Sequence, residues 1–143
     1  MATIRTVYSS NLRTEATHLA SGTTIITDAP IDNNGKGEAF SPTDLTCSSL
    51  GSCMMTIMAI VAERDGVDLK GTEIEITKTM AANPRRISKI QVNFTMASQV
   101  ALTEVQKEKL QRAAFTCPVA LSLHPDIEQE VMFEWNAVAF LNS

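Results

Sequence analysis

Three short runs rich in β-branched residues open the chain: Thr3 to Ser9 (TIRTVYS), Leu12 to Leu19 (LRTEATHL) and Thr23 to Ala29 (TTIITDA). Ser-Asn and Ser-Gly pairs separate them, so the pattern predicts a meander of strands. Pro30 to Phe40 (PIDNNGKGEAF) gathers Pro, Asp, Asn and Gly, which cannot continue a sheet, and predicts a mobile, exposed connection. From Leu45 to Val61 apolar residues fall on nearly every side of a helical wheel, the mark of a helix packed all round. Thr72 to Ala81 and Arg86 to Ser98 then alternate apolar with polar at period two, a hairpin with one wet face. Thr103 caps an amphipathic helix carrying Val105, Leu110, Ala113 and Ala114. Pro118 suits the first turn of a second, short helix that Pro125 stops, and Ile127 to Leu141 reads as a last strand. The order β-β-β-α-β-β-α-α-β lacks a βαβ rhythm and predicts an α+β fold with antiparallel sheet.

Composition narrows the class without changing the elements. At 143 residues, 44% hydrophobic and 20% charged, the chain is expected to form a single domain over 1–143. Such a domain buries roughly 68% of its unfolded surface, enough to fold without disulfide staples. A net charge of −4 with scattered Lys and Arg leaves no footprint for nucleic acid or an anionic membrane. The N-terminal segment has no apolar signal-peptide core, and the apolar stretch Met54 to Ala62 is far short of a bilayer span, so a cytoplasmic chain is expected. Three cysteines in a reducing compartment then point to reactive, metal-binding or buried thiols and away from a disulfide framework.

The helix that starts at SPTD carries the chemistry. Ser41 stands at its N-cap, Pro42 at N1 and Asp44 at N3, which is a capping-box arrangement. Cys47, Ser48, Ser49, Gly51, Ser52 and Cys53 form a narrow segment that another backbone or a substrate could approach. Cys47 and Cys53 lie six residues apart, about 9 Å of rise and about 240° of rotation, so they cannot bridge, and the only pairing open to either is with Cys117. Cys117 precedes Pro118 and falls at the N-cap of the short helix, where free amides and the positive dipole end favour a thiolate. Cys53, more than two turns into its helix, gains little from the dipole and needs a cation from elsewhere. His18 and His124 have no cysteine at zinc-finger spacing, so no metal site is expected, and GKGEAF lacks Walker spacing.

SPTDLTCSSLGSC, followed 64 residues after Cys53 by CPVALSL, resembles the OsmC/Ohr family of osmotically inducible and organic hydroperoxide resistance proteins. The resemblance implies a tightly intertwined homodimer in which antiparallel sheets enclose two long helices. It also implies a thiol-dependent peroxidase without a cofactor, in which Cys53 attacks an organic hydroperoxide and Cys117 resolves the sulfenic acid into a disulfide. An external dithiol reductant such as a lipoylated protein would then reopen that bond. The family uses an arginine from the early strands, matched by Arg13, to hold thiolate and peroxide, and a glutamate ten residues before the reactive cysteine to hold the arginine. Thr43 stands at that glutamate position, leaving Asp44, one residue on and rotated by about 100°, as the acid in the motif and Glu38 as a second candidate. The missing glutamate keeps two other readings open: a redox sensor without significant turnover, and a dimer that binds small apolar molecules.

Overall fold

The computed structural model describes residues 1–98 and 100–135. The elements are β1 (Ile4–Ser10), β2 (Arg13–His18), β3 (Thr24–Asp28), α1 (Pro42–Arg64), β4 (Glu73–Ala81), β5 (Arg86–Met96), α2 (Glu104–Ala114), α3 (Pro118–Ser122) and β6 (Glu128–Trp135). Among the described residues, a 3-10 turn at Ile31–Asn33 adds to the expected order. Expected strand residues past Trp135 lie outside the described ones. The chain divides into two compact units, Met1–Thr46 and Cys47–Ser143.

In the first unit β1, β2 and β3 form an antiparallel sheet in sequence order. Gly22, with φ +77°, turns the β2–β3 hairpin, which is closed by His18 N–H donating to the Thr23 carbonyl at 2.8 Å. Pairing runs back from Thr17 opposite Thr24 until Arg13 faces Asp28. The 30–40 connection is exposed, as expected, and folds back on the end of β3. The Gly37 N–H donates to the Ala29 carbonyl at 3.2 Å, and the Gly35 N–H to that of Pro30 at 2.9 Å. Gly35 lies so close to Ala29 that a Cβ would fall 1.7 Å from its carbonyl oxygen, so only glycine fits this fold-back.

In the second unit the sheet order is β4-β5-β6. Ile90, Val92, Phe94 and Met96 of β5 are all buried, the inward half of a period-two pattern. Leu50, Met54, Met58 and Ala62 of α1, together with Leu110 and Ala114 of α2, complete this core. Thr103 and Gln106 form a capping box on α2. The sheet corrects one expectation, because β6 pairs with β5 in parallel, from Lys89 opposite Glu128 to Met96 opposite Trp135. A parallel neighbour needs a crossover of a dozen or more residues, and α2 with α3 supplies it. The βαβ unit is hidden in sequence because two helices rather than one fill the connection.

Within the single chain α1 buries one face, and Ser49, Ser52, Thr56, Ile60 and Glu63 form an exposed stripe opposite it. The helix corrects one more expectation. The short apolar stretch is part of a 23-residue helix that is, by length and composition alone, apolar enough to cross a bilayer. Its Leu50, Met54 and Met58 are instead spent on a protein core.

Candidate functional site

The described residues hold two chemically distinct centres, one in each unit. The first is ionic. Ser10, Asn11 and Leu12 all have positive φ, at 73°, 57° and 62°, a conformation that costs a leucine energy and turns the chain sharply into β2. The turn is locked where the Leu12 carbonyl accepts the Ala29 N–H at 3.0 Å. Arg13 therefore starts β2 directly across from Asp28. Its Nε donates to Asp28 Oδ1 at 2.7 Å and its Nη2 to Oδ2 at 2.8 Å, a bidentate pair. The same Nη2 reaches Glu38 Oε1 at 3.1 Å, and the Glu38 backbone N–H donates to Asp28 Oδ2 at 3.1 Å. The three side chains are graded in exposure, 0% for Asp28, 28% for Arg13 and 66% for Glu38. The hydrogen bond from Arg13 holds the Asp28 carboxyl below the usual carboxylate range against the opposing effect of burial, and Asp28 in turn raises the already high Arg13 pKa.

Asp28 is the residue that reading the sequence missed. Its signal was available: a hairpin centred on Ser21-Gly22 brings residue 13 opposite residue 28, and opposite charges at facing strand positions attract. Glu38, a second candidate from sequence, does bond Arg13. Asp44 takes the position its spacing predicted, with the Ser41 N–H donating to Asp44 Oδ2 at 3.1 Å and the Asp44 N–H to Ser41 Oγ at 3.0 Å. Asp28 and Glu38 hydrogen-bond the Arg13 guanidinium, and Asp44 closes the start of α1.

The second centre is a pair of thiols. Cys53 is half-buried on α1 and Cys117 fully buried at the N-cap of α3; both are free thiols, and they lie near enough for Cys53 to act on the Cys117 thiol. Pro118 occupies N1, where its missing N–H is no loss, and Cys117 Sγ accepts the Ala120 N–H at 3.3 Å. The cap forms as expected, but its electrostatic consequence does not follow. Burial pushes the Cys117 thiol above its ordinary pKa, Cys53 adds to the rise, and the N–H groups of Ala120 and Val119 only partly oppose it. A five-residue helix has too few aligned peptides to outweigh desolvation. Cys47 belongs to the core. Gly51 serves packing: a Cβ there would lie 2.6 Å from Ile76 Cδ1, so β4 occupies the space its small size leaves.

The sequence profile described as OsmC-like protein matches residues 35–131, more than half the chain. A crystal structure from Psychrobacter arcticus, of a protein provisionally assigned to the osmotic stress induced and detoxification response, is 49% identical, with a TM-score of 0.89 over 94% of this chain and 96% of that one. The organic hydroperoxide resistance protein OsmC of Legionella pneumophila, at 16% identity, superposes with a TM-score of 0.68 over 92% and 95% of the two chains. An organic hydroperoxide resistance protein from Elizabethkingia anophelis, at 11% identity, gives 0.71 over 95% and 98%. The last two similarities speak for the fold. Among curated proteins no relative matches the chain.

Proposed function

The chain belongs to the OsmC-like protein family, and from that premise we propose that it is a thiol-dependent peroxidase reducing organic hydroperoxides, with Cys53 as the reactive and Cys117 as the resolving thiol. The observation that carries this reading is that two free thiols, from α1 and α3, lie near enough for one to act on the other. Cys53, as thiolate, attacks one oxygen of ROOH. The O–O bond breaks, an alcohol leaves once protonated, and Cys53 becomes a sulfenic acid. Cys117 then attacks that sulfur, and the displaced hydroxide takes the Cys117 proton and departs as water, leaving a disulfide. Two thiols and ROOH thus give ROH, water and one disulfide, which an external dithiol reopens by exchange. The raised Cys117 pKa suits a resolving thiol, which stays protonated until the sulfenic acid forms.

Self-association accompanies this reading. Ile4, Val7, Tyr8 and Ile25 are exposed on the first sheet, and Ile60 on the outer stripe of α1. Apolar area of this kind is what a second copy would cover, in keeping with the intertwined homodimer the family resemblance implies. A redox sensor is the second reading, favoured by Thr43 in the place of the family's glutamate. Steady-state consumption of cumene hydroperoxide with a dithiol separates them: catalytic turnover supports the peroxidase, and one stoichiometric oxidation without turnover selects the sensor.

A further inference from the structure

α3 is a single short turn of helix, yet it must hold Cys117 against Cys53 closely enough for a sulfur–sulfur bond to form. Residue 120 links that thiol to the sheet. The Ala120 N–H donates to Cys117 Sγ at 3.3 Å, and the Ala120 carbonyl accepts from Gln129 Nε2 at 3.0 Å. Gln129 itself is half-buried on β6 and pairs with Ile90, a fully buried residue at the centre of the second unit's sheet. The carbonyls in the last turn of a helix have no intrahelical donor, so an outside N–H has a large say in how so short a helix is seated.

We infer that Gln129 is a positioning residue for the resolving step: by holding the Ala120 peptide it sets the placement of Cys117 relative to Cys53. The inference rests on the peroxidase reading given above. In the step concerned, Cys117 Sγ bonds to the sulfur of the Cys53 sulfenic acid, the S–O bond breaks, and hydroxide leaves with the Cys117 proton as water. Gln129 touches neither sulfur and takes no part in the first oxidation of Cys53. Its loss therefore slows closure alone. A misplacement of a fraction of an ångström to 1 Å between reacting atoms is worth about ten- to a hundredfold in rate.

The test is single-turnover oxidation of the full chain by one equivalent of cumene hydroperoxide, following Cys53 sulfenic acid by trapping with a cyclic 1,3-dione and the Cys53–Cys117 disulfide by peptide mass spectrometry. Gln129→Met and Gln129→Glu both remove the donor at nearly constant length. Each is expected to form sulfenic acid at the wild-type rate and to close about tenfold or more slowly, so that trapped sulfenic acid accumulates. Gln129→Lys, which returns a donor of similar reach, is expected to restore most of the closure rate. A purely structural role would slow both steps together or lower only the thermal midpoint, and either result overturns the assignment. If the wild type closes and the Met and Glu variants close equally fast, Gln129 has no such role and the peroxidase reading stands. If the wild type forms neither sulfenic acid nor disulfide, the peroxidase reading falls and takes this inference with it.

Discussion

The Arg13 cluster and the thiol pair are built on opposite physical terms. Arg13 on the central strand β2, Asp28 on β3 and Glu38 on the loop that follows it work through charge, with solvent screening graded across them. Cys117 is fully buried beside a half-buried Cys53, and that burial raises its pKa in spite of the helix cap. The first centre is organised by neighbours within 25 residues, through strand register and one loop. The second joins residues 64 apart through a sheet and two helices. The comparison teaches that a local signal such as an N-cap predicts geometry well and electrostatics poorly, because desolvation depends on everything packed around the group.

The largest effect expected is on the thiol centre. Cys53→Ser should lower dithiol-dependent hydroperoxide consumption by roughly a thousandfold or more, as removal of a nucleophile does. Cys117→Ser should leave the first oxidation intact and stop at sulfenic acid. Steady-state assay and dione trapping check both; full activity in Cys53→Ser would remove the thiols from the reaction.

The ionic centre is expected to respond next. If Arg13 serves the role its family resemblance implies, Arg13→Ala slows oxidation of Cys53 by about tenfold or more, each tenfold being ~1.4 kcal/mol of barrier. Asp44→Asn sharpens the contrast. Its capping geometry predicts a stability loss of ~1 kcal/mol measured by urea unfolding. A tenfold fall in stopped-flow oxidation rate with unchanged stability would instead assign Asp44 to the arginine.

Acid should then single out the first centre. Asp28 has its pKa lowered by Arg13, so below the unfolded-state value of ~3.9 the unfolded chain takes up the proton first. The stability that Asp28 contributes is present above that pH and is lost as pH falls through it. Asp28→Asn should be less stable at pH 7 and show a shallower loss between about pH 5 and pH 3 in urea midpoints. An identical acid profile would dissociate the pair from stability.

Alkali should probe the second centre with the smallest effect. Cys117 has a raised pKa, so the unfolded chain releases its proton before the native one as pH climbs past ~8.5. Native stability is held below that value and declines above it. In reduced protein, Cys117→Ser should flatten the decline in urea midpoint between about pH 7.5 and pH 10. A steeper decline in the variant would contradict a raised thiol pKa.

Local chemistry in the sequence determined a great deal of this protein. Period-two alternation marked β5, whose Ile90, Val92, Phe94 and Met96 are all buried. Cap residues at Ser41, Thr103 and Cys117 marked the starts of α1, α2 and α3, because an N-cap satisfies amides within its own turn and needs no distant partner. The element order was legible for the same reason, while the family, and with it the choice of Cys53 and Cys117, came from the resemblance of two cysteine-bearing motifs. Tertiary structure decided what depends on distant neighbours. The parallel seat of β6 beside β5 follows from a crossover whose destination no local pattern encodes. Asp28 became the partner of Arg13 through hairpin register, and the 30–40 loop folds back through a glycine pressed against Ala29. The Cys117 thiol kept its proton because burial, a property of the whole fold, outweighed the dipole of a five-residue helix, and it did so beside a Cys53 that only the packed core brings within reach.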